Sequence, residues 1–273
     1  MGTESLRKQG YHNTMQKTLR YIVVASLFIL VLLFLIVKVT EFDVWMHLSS
    51  GKYILDNFKV PQFDPFSYTA SHLAYIDSHW LYQVILFIFY KTTGFFGLFL
   101  YQLFVIGAIF YILFQQGKKS NFYIATICML LTLLVAHPRF LHRPEMFSYL
   151  FAVLYVVILE SRKKLYFLPI IQILWTNTHG FFIFGPAIIC CYLIGEFAEN
   201  IKARTDFRVT YCVVRPFMAA FLLCVLACFV NPYGYKLVAY PFLLFTEIGS
   251  KASPYMKCVS ELTPTLFAEA GGY

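Results

Sequence analysis

The sequence predicts an all-α protein, a polytopic transmembrane helix bundle of about seven spans with interfacial helices in its first outer loop. Three observations predict it. Of the 273 residues, 59% are hydrophobic and 13% charged, with 30 Phe and 20 Tyr, and mean hydropathy is +0.66. A soluble domain carries about a quarter charged residues, so this composition excludes disordered chains, fibrous proteins and most soluble folds. The apolar residues also fall into runs long enough to cross a bilayer. Lys and Arg concentrate in every second connection, as the bias toward cytoplasmic loops requires.

The elements follow in chain order. Residues 1–20 form a polar cytoplasmic segment carrying Arg7, Lys8, Lys17 and Arg20. Residues 21–246 form one membrane domain, and its first span covers 21–37, too long and too poorly flanked for a signal peptide. Residues 41–94 form the first outer loop. Within it the segment from Glu41 to Phe58 has Val44, Leu48, Ile54, Leu55 and Phe58 at helical spacing, which predicts an amphipathic interfacial helix. Residues 80–90 are short for a span and are expected to lie along the outer face. This places Lys118 and Lys119 inside after a span over 95–114.

Further spans are expected at 122–136, 146–159, 165–175, 181–195 and 211–230. The tail from Leu237 begins another helix, containing Pro241, and 247–273 is a polar C-terminal segment. The seven cysteines lack paired spacing and read as small hydrophobes. The net charge of +8 orients the chain through its inner loops, so no nucleic-acid partner is expected.

This orientation gathers chemistry on one face. His47, His72, His79, His137, His142 and His179 all lie outside, with Asp43, Asp64, Asp77, Arg139, Arg143, Glu145, Asn177, Asn231 and the three tryptophans. Asp43 and His47 are four apart and share a helix face. That pair suits a general base or a metal ligand, or Asp43 simply favours the start of a helix. His137-Pro-Arg-Phe-Leu-His-Arg-Pro-Glu145 holds two guanidiniums between helix-stopping prolines, suited to a phosphate or to lipid headgroups. Trp175-Thr-Asn-Thr-His-Gly180 interrupts an apolar hairpin. Asn177 and His179 there suit a polar substrate, or the motif is a turn. No nucleophile elbow, phosphate loop or zinc-protease helix is present. Span interiors hold too few polar groups for a transporter.

These residues resemble the C-type (GT-C) membrane glycosyltransferases, among them the protein O-mannosyltransferases and aminoarabinose transferases. They resemble still more a group of bacterial membrane proteins related to those enzymes. The matching strings are Asp43-Val-Trp-Met-His-Leu48, Asp64-Pro-Phe-Ser-Tyr68, Asp77-Ser-His-Trp-Leu81, Arg143-Pro-Glu-Met-Phe-Ser148, Trp175-Thr-Asn-Thr-His-Gly180 and Asn231-Pro-Tyr-Gly234.

The resemblance implies a bacterial inner-membrane protein with a cytoplasmic N-terminus. It would take a polyprenyl-phosphate-linked sugar and transfer the sugar at the periplasmic face. It implies Asp43 as catalytic base, with Arg139 and Arg143 holding the lipid phosphate. His47, His79, His142, Asn177 and His179 would line the substrate site. No cofactor is assigned, and a divalent metal is left open. Asp43 is followed by Val and Trp, without the second adjacent acid of those transferases. The chain covers roughly the shared core module. A non-catalytic lipid-binding or assembly protein with the same fold is the alternative.

Overall fold

The structure is a computed structural model, and it describes residues 2–36, 39, 42–69, 71–204 and 206–248. The described residues are helical throughout, apart from loops and one antiparallel bridge between Phe63 and Ala74. The helices are α1 (Gly2–Leu35), α2 (Asp43–Asn57), α3 (Trp80–Thr93), α4 (Phe95–Gly117), α5 (Phe122–Ala136), α6 (Glu145–Ser161), α7 (Leu168–Thr178), α8 (Phe184–Lys202), α9 (Phe207–Ala227) and α10 (Tyr235–Ile248). Short 3₁₀ turns at His137–Arg139, Leu165–Phe167 and Gly180–Ile183 link α5 to α6, α6 to α7 and α7 to α8.

Five segments are long and apolar enough to cross a membrane: Thr14–Leu35, Phe95–Gly117, Phe122–Arg139, Gly180–Lys202 and Arg208–Ala227. The chain is therefore a membrane protein with five candidate spans. They coincide with five of the seven expected from sequence. The other two expected spans correspond to α6, of 17 residues, and α7, of 11. At 1.5 Å per residue α6 is about 26 Å long and α7 about 17 Å, against a hydrocarbon core of about 30 Å. Proline sets both starts: α6 follows Pro144, and Pro169 stands in the first turn of α7. Between them the chain reverses through Arg162 and Lys164, both left-handed at φ 53° and 60°.

The boundary expected between a polar segment at 1–20 and a span from 21 is not a structural break, because α1 runs unbroken from Gly2. The division between 80–90 and the next span is real. Gly94 ends α3 with φ +64° and donates its N–H to the Tyr90 carbonyl at 2.7 Å. A side chain at that φ is disfavoured, so glycine lets α3 fold back against α4. Asn121 caps α5 by accepting the N–H groups of Tyr123 and Ile124 at 2.9 and 3.1 Å. Pro241 lies inside α10. The C-terminal segment expected at 247–273 lies outside the described residues from 249 onward, and Cys258 with it.

Helices in lipid gain little from burying apolar surface against one another, so close approach and interhelical hydrogen bonds hold them. α2 lies on α3 at Gly51, where a Cβ would collide with the Gln83 carbonyl. Deeper in the bundle, Tyr155 of α6 donates to Gln172 Oε1 of α7 at 2.6 Å. The Gln172 amide donates to the Phe182 carbonyl at 2.9 Å. These bonds tie α6, α7 and the turn into α8 at one point. Around them pack Tyr82, Leu86, Tyr101, Val105, Phe151 and Trp175 as one core.

Candidate functional site

The N-terminal turns of α2 and α3, the start of α6 and the end of α7 meet at one end of the bundle. Three imidazoles form a row there. The His47 and His79 ring centroids are 6.1 Å apart, and those of His79 and His179 are 5.4 Å apart. His47 is buried, whereas His79 and His179 are partly exposed.

Asp77 and Gln83, each 1% exposed, lie beneath them. Asp77 Oδ1 accepts the His79 N–H at 3.1 Å and the Gln83 amide at 3.1 Å. The same Gln83 nitrogen reaches His47 Nδ1 at 3.4 Å. Asp77 Oδ2 and Gln83 Oε1 are buried and have no hydrogen-bond partner within the protein.

The second flank of the row is built from α6 and α7. Ser148 Oγ stands 2.7 Å from His179 Nδ1 and accepts the Trp175 indole N–H at 2.8 Å. Trp80 donates its indole N–H to Asn177 Oδ1 at 2.8 Å, and the Asn177 amide donates to the Val230 carbonyl at 2.9 Å. The Tyr233 hydroxyl donates to the Pro61 carbonyl at 2.7 Å and accepts the Asp77 N–H at 3.0 Å. The Asn-Pro-Tyr-Gly turn thus clamps the connection between α2 and α3 onto the cluster. Asn231 shapes that turn, accepting the Tyr233 N–H at 2.8 Å. Asp64 shapes the loop in the same manner, accepting the Phe66 N–H at 2.9 Å.

Electrostatics follow from burial. Desolvation, with help from His179, pushes the His47 ring down to about 4. Desolvation and the His47 charge push His79 down to about 3. Desolvation and the His79 charge do the same to His179, also to about 3. The row is neutral at physiological pH and offers ring nitrogens as donors and acceptors. Burial pushes the Asp77 carboxyl up to about 6, against the lowering effect of its bonds from His79 and Gln83.

Of the residues expected from sequence, the structure brings His47, His79, Asn177 and His179 into one connected cluster. His142 is buried beside it, its carbonyl accepting the Tyr82 hydroxyl at 2.5 Å. Arg143 is partly buried next to it. Asp43 is exposed in the first turn of α2, one turn before His47, and Arg139 is exposed on the 3₁₀ turn after α5. The carboxylate built into the cluster is therefore Asp77.

Gln83, Tyr82 and Ser148, the last residue of the 143–148 string, also belong to the cluster, and the sequence assigns none of them a role. They sit inside apolar helices and carry no spacing signal. Only the intramembrane cost of an unpaired polar group points to them. Among the described residues no group of three or more His, Cys, Asp or Glu is arranged to hold a metal ion. The three imidazoles lie in a row and do not converge on one point, so they do not fit the divalent metal left open from sequence. Compared with known proteins, the chain matches no family model, no curated protein and no solved structure.

Proposed function

We propose that this protein is a membrane glycosyltransferase that moves a sugar from a polyprenyl-phosphate donor to an acceptor hydroxyl at the periplasmic face of the bacterial inner membrane. The observation that carries the reading is the assembly of His47, Asp77, His79, Trp80, Asn177 and His179 at one end of the bundle, from connections far apart in the chain. A connected cluster of polar side chains in an apolar bundle marks a candidate functional site. The partly exposed His79, His179 and Trp80 give that face hydrogen-bonding groups beside an aromatic plane, which suits a sugar.

In this reading Asp43, exposed on the helix that carries His47, takes the acceptor proton as the acceptor oxygen attacks the anomeric carbon. The bond from that carbon to the phosphate oxygen breaks, and polyprenyl phosphate leaves. Arg139 and Arg143 balance the charge that grows on the departing phosphate. His142, buried and bonded through its carbonyl to Tyr82, lines the site beside them in this reading. His47 and Asp77, both buried, hold His79 in place through Gln83 and the His79 backbone.

The test is transfer of a radiolabelled sugar from polyprenyl phosphate in membranes containing the full chain. Asp43→Asn and Arg143→Ala are expected to lower the rate by at least two orders of magnitude at unchanged protein level. Unchanged transfer in both variants sinks the mechanism.

A second reading draws on the internal bonding of the cluster. The Gln83 amide bonds both His47 and Asp77, Trp80 bonds Asn177, and His179 bonds Ser148. A non-catalytic lipid-binding or assembly protein of the same fold would use such bonds only to lock four helices together. It is favoured if wild-type membranes bind the donor without turning it over.

A further inference from the structure

A second site lies away from the histidine cluster. Between α1, α4 and α5 runs a groove of about 290 Å³, lined by Val24, Phe28 and Val31 of α1, Gly107 and Phe114 of α4, and Met129 of α5. Its α1 residues fall at spacings of four and three, one helix stripe about 10 Å long. Tyr111 brings the only polar side-chain atom among the lining residues, and Phe28 and Tyr111 are both exposed, so the groove opens sideways.

One end of the groove is positively charged. The Arg20 guanidinium sits 5.4 Å over the Phe122 ring, and the Lys118 ammonium sits 6.0 Å over the Phe114 ring. The two rings meet edge to face at 5.8 Å, and Phe114 itself lines the groove. Both cations are exposed, Lys119 follows Lys118, and no acidic residue occurs from 17 to 20 or from 117 to 122. Along α4, Lys118 lies about 24 Å from Gln102, whose amide bonds the Phe140 carbonyl beside the cluster.

We infer that this groove binds an anionic glycerophospholipid, with one acyl chain between α1, α4 and α5 and the phosphate between Arg20 and Lys118. The apolar lining matches a hydrocarbon chain. Two aromatic-backed cations at its mouth match a phosphate that carries no compensating ammonium. A basic pocket between membrane helices is the arrangement that selects such headgroups. The lateral opening admits the chain directly from the bilayer.

Gly107 supplies the test, because a Cβ there meets only Leu103 Cδ1 at 3.9 Å and otherwise faces space. The full chain is purified into detergent with equal amounts of phosphatidylglycerol and phosphatidylcholine, and the retained lipid is measured by native mass spectrometry. Wild type is expected to retain phosphatidylglycerol at least fivefold over phosphatidylcholine. Gly107→Leu, which fills the groove, is expected to lose the retained lipid at unchanged helical content. The surface variant Arg20→Gln/Lys118→Gln keeps the fold in play should the glycine variant fail to fold. It is expected to bring the ratio of the two lipids close to one. Retention of both lipids in their supply ratio by wild type overturns the inference. So does an unchanged preference in the double variant, or retention of added polyprenyl phosphate in place of phosphatidylglycerol.

Discussion

Asp77 and the three desolvated imidazoles respond to pH in opposite directions. His47, His79 and His179 have folded values near 3 to 4, below the ordinary 6.5. In the unfolded chain they bind protons between those limits, so the stability they allow is complete above about pH 6.5 and is lost as pH falls. Asp77 is raised to about 6 from 3.8, so its contribution is present at low pH and is lost as pH rises through 6. Each group fully in its window is worth about 1.4 kcal/mol per pH unit. Three against one leaves a net loss on acidification on the order of 3 kcal/mol per pH unit near pH 5. Thermal unfolding in detergent should therefore move down steadily from pH 7 to pH 5. Asp77→Asn should steepen that fall, because it removes the one group acting against it. A melting temperature flat across this range would contradict the burial of the row. Much of the cluster is legible at this scale, since His47, His79, Asn177 and His179 stand out as polar residues between apolar runs. The role of Asp77 is not legible, because Asp43 and Asp77 differ in burial and not in residue type.

Helix α2 depends on how closely it lies against α3. Gly51→Ala would push a methyl into the Gln83 carbonyl. Overpacking of this kind costs about 1–3 kcal/mol. The same carbonyl belongs to the residue that bridges His47 and Asp77, so the shift also reaches the cluster. The expected result is a melting temperature lowered by several degrees and, if the proposed transfer holds, turnover reduced alongside it. A Gly51→Ala protein with wild-type stability and activity would show that the two helices do not meet there. Runs that are both long and uninterrupted, as in α4, α5, α8 and α9, come out as candidate spans. Those of α6 and α7 are shorter than that. Hydropathy reports how apolar a segment is, while the prolines near each start and the left-handed Arg162 and Lys164 decide how long the helix becomes.

For the molecule as a whole, the proposed orientation makes a direct prediction. With the N-terminus cytoplasmic, the turn between α4 and α5 lies inside and the loop between α2 and α3 lies outside. In a cysteine-free background, Ser120→Cys should react with an impermeant maleimide only after the membrane is opened. Ser71→Cys should react in intact cells. The reverse pattern would invert the protein and place the histidine cluster in the cytoplasm. The membrane environment and helical class of this protein were settled by composition and by runs of apolar residues, because lipid accepts no backbone whose polar groups are unpaired. The alternation of basic connections led to the expectation that the polar residues share one face. Packing alone decided that Asp77 enters the cluster while Asp43 stays at its edge, and that Gln83 and Ser148 join His47 to Asp77 and His179 to Trp175. Contacts at the cluster join residues up to 172 positions apart, and their strength depends on desolvation, which no local pattern of residues records.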